Sequence, residues 1–343
     1  MYLGMNIVDF LANYFLFFFK LITILVAFLI ILIVIKGGKD LKKKKGAICF
    51  EDLSDEFDEL KESYEDLIAD EKSEEEEKAS KKSEKKWWQF WKKKAVEKDE
   101  DAKPLPKLFV IDFDGDMAAN AAQNLKQEVN AVLSVAKEND EVFVRLKSPG
   151  GVVNGYGLAA AQLERFKEKN FNLTVAVDEV AASGGYLMAC VANKIVAAPF
   201  AIIGSIGVVA QLPNFHRLLE KYDIDYEQFT AGKYKRTVTM FGENTEEGRE
   251  KFKEELEDIH TIVKAYVNHH RPQVNSDEIA TGEHWLGSQA LTLNLVDELQ
   301  TSDAYLIAKL DGFRVIHVGY VERKTLRSSA LKVLAKIQSR FSY

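Results

Sequence analysis

The sequence predicts an α/β domain with a largely parallel sheet, carried behind an apolar N-terminal segment and a charged linker. Three observations predict it. Short β-branched or aromatic runs alternate with helix-period segments after residue 104, a 26-residue apolar run from Phe10 to Ile35 precedes them, and opposed blocks of charge separate the two.

The apolar run is interrupted only by Lys20, and its length suits a tilted membrane span. Asp9 stands before it and Lys36-Gly37-Gly38-Lys39 behind it, which is not the pattern of a cleaved signal peptide. The sequence therefore predicts a retained transmembrane anchor over 10–35. Lys20 reads either as an intramembrane functional charge or as a snorkelling side chain, and its position near one end suits snorkelling. Lys36, Lys39 and Lys42 to Lys45 follow directly, and the positive-inside rule puts that side in the cytoplasm.

Residues 36–103 read as a charged linker. The whole chain, 343 residues with a net charge of −7, is acidic, which argues against a dedicated nucleic-acid binder. That average hides its parts, because Glu51 to Glu77 carries a net −13 and Lys78 to Lys94 a net +7. Leu53, Phe57, Leu60, Tyr64 and Leu67 form a heptad-like stripe on the acidic block. The stripe fits a partner or self-association helix, or a solvated, partly helical linker, and so few heptads favour the linker. Trp87, Trp88 and Trp91 among lysines make a patch suited to an anionic bilayer interface, and less suited to single-stranded nucleic acid. The two cysteines, Cys49 and Cys190, lie in segments of different character and read as free thiols.

The folded domain is predicted over 104–325, with a basic tail over 326–343. Strand-like runs lie at Leu108 to Phe113, Val142 to Leu146, Leu173 to Val177 and Ile195 to Ala198, with helical patterns at Ala118 to Lys137 and Tyr156 to Lys169. This is a βαβ rhythm. Glu246 to His269 reads as a long amphipathic helix. Leu187 to Ala210 is apolar, but Asn193, Lys194 and Pro199 interrupt it, so it reads as buried helix, turn and strand rather than a second span.

Three glycine-marked turns end these elements: Ser148-Pro149-Gly150-Gly151, Ala182-Ser183-Gly184-Gly185-Tyr186 and Gly204-Ser205-Ile206-Gly207. Such turns aim bare N–H groups at a developing oxyanion, although each alone also suits simple turning or capping. A serine nucleophile needs a base, and none of the six histidines sits in one of these turns. A lysine serves instead when burial lowers its pKa from about 10.4 by several units. Ala231-Gly232-Lys233-Tyr234-Lys235-Arg236 offers two, in a loop whose composition by itself favours plain solvation.

In order, these three turns, Gly232-Lys233-Tyr234-Lys235, and Gly287-Ser288-Gln289-Ala290 through Leu295-Val296-Asp297 resemble the motifs of the signal peptide peptidase A family of Ser-Lys peptidases. The resemblance covers roughly residues 105 to 325. It implies a ClpP/crotonase-like spiral of βαβ units, with Ser183 as nucleophile and Lys235, 52 positions on, as general base. Lys233 does not match. The Gly151 and Gly184 N–H groups would form the oxyanion hole, and Ser205 would orient the lysine. The family's rings take serine and lysine of one site from neighbouring domains, which implies a homo-oligomer inactive as a monomer. Residues after Lys235 lack the Ser-Pro pair frequent in relatives, so specificity does not carry over.

The resulting expectation is a serine endopeptidase anchored in a bacterial inner membrane, without metal or organic cofactor, cleaving signal-peptide remnants or other membrane-proximal peptides. The resemblance places such domains on the outer face, against the lysine rule. A CoA-thioester enzyme on the same fold and a non-catalytic membrane scaffold are the alternatives.

Overall fold

The structure, a computed structural model, describes residues 14–25, 28, 46–59, 61, 63 and 104–321. The chain divides into two units, residues 1–47 with 322–343, and Ile48–Val321. Of the expected anchor, residues 14–25 and 28 are described, and they are helical and exposed. Among the described residues no helix is long and apolar enough to cross a membrane. The Lys36 to Lys45 cluster, the tryptophan patch and the C-terminal tail lie outside the described residues, as does most of the heptad stripe beyond residue 59.

The second unit is built on a seven-stranded sheet in the order β1-β10-β2-β3-β4-β6-β9. These strands are β1 (Ala47–Asp52), β2 (Lys107–Asp114), β3 (Glu141–Lys147), β4 (Asn172–Val177), β6 (Lys194–Ala197), β9 (Glu298–Leu299) and β10 (Arg314–Val321). From β10 through β9 every pairing is parallel. A smaller sheet pairs β5 (Val180–Ala182) in parallel with β7 (Ile202–Gly204), and β7 antiparallel with β8 (His284–Leu286). The expected α/β class and parallel central sheet are therefore present.

The central strands read as continuous apolar runs because both faces of the sheet are covered. Phe109, Ile111, Val142, Val144 and Val175 pack in one cluster with α1 (Ala122–Val135) and α2 (Val153–Glu168). The alternate residues Leu108, Val110, Phe143 and Ala176 pack on the other face with Tyr305 and Leu306 of α8 (Ser302–Lys309). Phe143 and Tyr305 stack at 4.8 Å. Predicted and observed strands agree to within a residue or two. The first helix starts at Ala122 rather than Ala118, because Asp116 turns the chain first: its carboxylate accepts the Asn120 N–H at 2.9 Å.

Residues assigned by composition to the linker enter the fold. β1 joins the sheet beside β10, and 53–59 are helical. Val315 N–H donates to Ser54 Oγ at 2.8 Å, Arg314 pairs with Asp52, and Leu53 packs against the second cluster. Acidic composition hid this, since an edge strand needs few buried side chains. Leu187 to Ala210 is, as expected, buried helix α3 (Gly184–Ala189), then β6 and β7. Cys49 is exposed and Cys190 buried, and both are free.

After β7 the chain leaves the core. No residue between 207 and 245 is buried, and the only helix named there is α4 (His216–Lys221). The long α5 (Glu246–His270) then returns to the core. Thr245 caps it by accepting the Gly248 N–H at 3.1 Å, with Glu246 and Glu247 in its first turn. Its C-terminal end is tied down by Tyr266 and His270, which both reach Glu164 of α2, at 2.9 and 2.7 Å. α6 (Ser276–Ile279) and α7 (Gly287–Thr292) complete the unit.

Candidate active site

Two loops at the C-terminal ends of β3 and β5 are stitched together by backbone. Ser148 N–H donates to Val180 O at 2.8 Å, and Ala182 N–H returns a bond to Ser148 O at 3.0 Å. The stitch brings Gly150 and Gly151 alongside Ser183.

Ser183 stands immediately before α3 with φ 52° and ψ −119°, a conformation that costs a non-glycine residue about 1–3 kcal/mol. Its neighbours enforce it: the Ser183 N–H donates to Gly204 O at 2.7 Å, and Ser183 O accepts the Leu187 N–H at 3.0 Å. The tight turn sets the serine at the helix N-terminus. As the first residue of α3, Gly184 has an N–H without an intrahelical acceptor. The Gly151 N–H donates to no group among the described residues.

Ser183, Gly151 and Gly184 line one cleft of about 340 Å³, solvent mouth included. Its other walls are apolar: Val153, Leu187, Ile206 and, from α5, Val263 and Val267. A hydroxyl, two N–H groups and an apolar wall are the parts needed to seat a carbonyl next to a nucleophile. Ser205 adjoins this arrangement through Gly204, with φ 50° and its N–H donating to Glu283 O at 2.6 Å.

Lys235 stands apart. It is exposed in the segment after β7, is not among the residues lining the cleft, and makes no hydrogen bond with Ser183. Its neighbour Lys233 is engaged elsewhere, its ammonium 2.8 Å from Glu247 and over the Tyr234 ring at 4.9 Å. The hydrogen bond that Lys233 donates to Glu247 pushes the Lys233 pKa up, the wrong direction for a base. A single chain thus assembles the serine and the two N–H groups but not the lysine.

Sequence reasoning missed the support beneath these loops. Tyr156 is fully buried, and its hydroxyl donates to Asp116 O at 2.8 Å and lies 2.5 Å from Ser148 Oγ. Ser148 Oγ in turn accepts the Gly150 N–H at 3.1 Å. Burial raises the Tyr156 pKa, so the phenol stays protonated. A tyrosine on an apolar helix face reads as plain core, and only its neighbour Gly155, where an added Cβ would lie 2.7 Å from Ala119 Cβ, marks close packing. The last motif, Leu295-Val296-Asp297, proves architectural. Asp297 holds the Arg271 guanidinium at 2.8 and 2.9 Å and accepts the Ile195 N–H at 2.7 Å.

Among the described residues no group of histidine, cysteine and carboxylate side chains is placed to hold a metal ion.

A serine at a strained strand-to-helix turn, with two glycine N–H groups in its cleft, defines a hydrolase-like site on an α/β fold. Residues 9–163 match the N-terminal region of peptidase family S49 and residues 165–312 match peptidase family S49 itself. The chain belongs to this family of proteases, and within it to the SohB type. It is 48% identical over 321 residues to the probable protease SohB of Haemophilus influenzae, covering 93% of this chain and 91% of the relative. It is 46% identical over 310 residues to the probable protease SohB of Buchnera aphidicola subsp. Schlechtendalia chinensis, covering 88% of this chain and all of the relative. Among solved structures, a membrane-bound stomatin-specific protease in complex with a substrate peptide aligns with TM-score 0.44 and 11% identity, over 68% of this chain and 99% of that one.

Proposed function

We propose that the chain is a membrane-anchored serine endopeptidase in which Ser183 is the nucleophile and Lys235 of a neighbouring copy is the base. The observation that carries the reading is that Ser183, Gly151 and Gly184 line one largely apolar cleft, with Ser183 directly before the helix that Gly184 begins. Neutral Lys235 takes the Ser183 proton as the oxygen attacks the peptide carbonyl; the oxyanion accepts from the two N–H groups. The lysine then gives that proton to the leaving amine, and water resolves the acyl-enzyme. Ser205 orients the lysine.

Lys235 must be desolvated to work, and in the single chain it is exposed. The segment that carries it also exposes large apolar side chains, Val209 at 80% and Phe229 at 88%. A head-to-tail ring of a ClpP/crotonase-like kind would cover that segment and deliver the lysine to the next copy's cleft. The apolar run 10–35 and the flanking lysines support an anchor in a bacterial inner membrane, with extended, apolar, membrane-proximal peptides as substrates. Apolar cleft walls suit an apolar side chain beside the scissile bond.

Detergent-extracted full-length protein should cleave an unstructured casein-like substrate, and Ser183→Ala should abolish cleavage while leaving circular dichroism unchanged. Full activity in purified Ser183→Ala would sink the assignment.

A further inference from the structure

We infer that Tyr156 is a positioning residue that fixes both halves of the oxyanion hole, acting through Ser148 on one side and through Gly184 on the other. The inference rests on the peptidase reading of Ser183 given above.

The phenol has one proton, and it goes to Asp116 O at 2.8 Å. Ser148 Oγ, 2.5 Å away, must therefore donate to the phenol oxygen, which leaves its lone pairs for the Gly150 N–H. The chain of bonds thus has one direction: Gly150 N–H to Ser148, Ser148 to Tyr156, Tyr156 to Asp116 O. It ties the loop bearing Gly151 to the loop after β2. That second loop also meets Gly151 directly, since Met117 O accepts the Val152 N–H at 3.0 Å and a Cβ on Gly151 would lie 2.1 Å from the same oxygen. On its other side the Tyr156 ring abuts Gly184, where an added Cβ would meet ring and Cβ atoms at 2.4–2.7 Å. One buried side chain therefore touches the support of one N–H donor and the backbone of the other. None of Gly150, Ser148, Tyr156 and Asp116 lines the cleft, so the effect of Tyr156 on catalysis is through placement. A donor displaced by about 1 Å can cost on the order of a hundredfold in rate.

Tyr156→Phe keeps the ring against Gly184 and removes only the hydroxyl, while Ser148→Ala removes the next link from the other end. With full-length protein and a fluorogenic peptide, each should lower kcat by about ten- to a hundredfold with KM within about twofold. Tyr156→Phe combined with Ser148→Ala should lose no more than the worse single change, because both break one chain. A merely structural role would lower the melting temperature and the active fraction without that pattern. Wild-type kcat in Tyr156→Phe, a loss confined to KM, or independent losses that multiply would overturn the inference. Ser183→Ala run alongside separates the two claims: activity surviving there overturns the peptidase reading, whereas an inactive Ser183→Ala with an unimpaired Tyr156→Phe overturns the inference alone.

Discussion

Ser183 holds a positive φ that its sequence does not require, and its two backbone hydrogen bonds, to Gly204 O and from the Leu187 N–H, keep the turn closed. Glycine-marked turns after strands made the positions of Ser183, Gly151 and Gly184 stand out, but only the resemblance implied a nucleophile and two donors there; the fold brings these three residues to one cleft. Lys235 was legible only by resemblance, because nothing in a basic loop distinguishes it from Lys233 by composition. The structure separates the two lysines by engagement rather than by proximity to the serine. Lys233 is committed to Glu247, and Lys235 carries no such pair among the described residues. Lys235→Ala should therefore reduce casein cleavage by about a hundredfold or more, the usual scale for losing a general base, whereas Lys233→Ala should retain most activity. Measured rates in the reverse order would show that the base is the other lysine. Tyr156 escaped because its partner Asp116 lies 40 positions away, and no local pattern encodes that meeting.

At the scale of elements, the strongly periodic and doubly buried segments were the readable ones. β2, β3, β4, β6 and α5 all fall where their apolar patterns put them, since burial on both faces or along one stripe leaves its mark in every residue. β1 was unreadable because its contribution is backbone pairing and charge. It lies beside β10, where His317 makes a 3.2 Å hydrogen bond to Asp112 of β2 and stands 3.8 Å from Glu51 of β1. Arg145 of β3 and Glu128 of α1 complete the surrounding charges. Burial works against ionisation of Asp112, but hydrogen bonds from His317 and Arg145 outweigh it and hold the carboxyl at about 2. The Asp112 bond in turn raises the His317 pKa above its ordinary 6.5, with burial opposing. A histidine whose pKa rises on folding contributes stability that is complete below about 6.5 and is lost as pH climbs through the raised value. Thermal melts at pH 6 and pH 8 should then show a larger fall toward pH 8 in wild type than in His317→Gln. An equal fall in both would remove His317 from the account of this edge.

For the whole molecule, the sequence resolved the class of fold, while the composition misplaced the boundary of the folded unit. The compact unit starts at Ile48, so part of the acidic block belongs to the sheet rather than to a tether. The larger consequence concerns the excursion between β7 and α5. No residue from 207 to 245 is buried in the single chain, and in the proposed ring a neighbouring copy would cover this segment and supply both the missing desolvation and the missing lysine. Such sharing would be a property of an assembly, and no single sequence window would carry it. The most direct test co-expresses Ser183→Ala with Lys235→Ala, each inactive alone, and purifies the mixed full-length assembly. With Ser183 from one copy and Lys235 from the next, random head-to-tail mixing should restore about a quarter of wild-type cleavage, the chance that an intact serine meets an intact lysine. A mixed assembly as inactive as its parents, with wild type active under the same preparation, would contradict a site shared between copies.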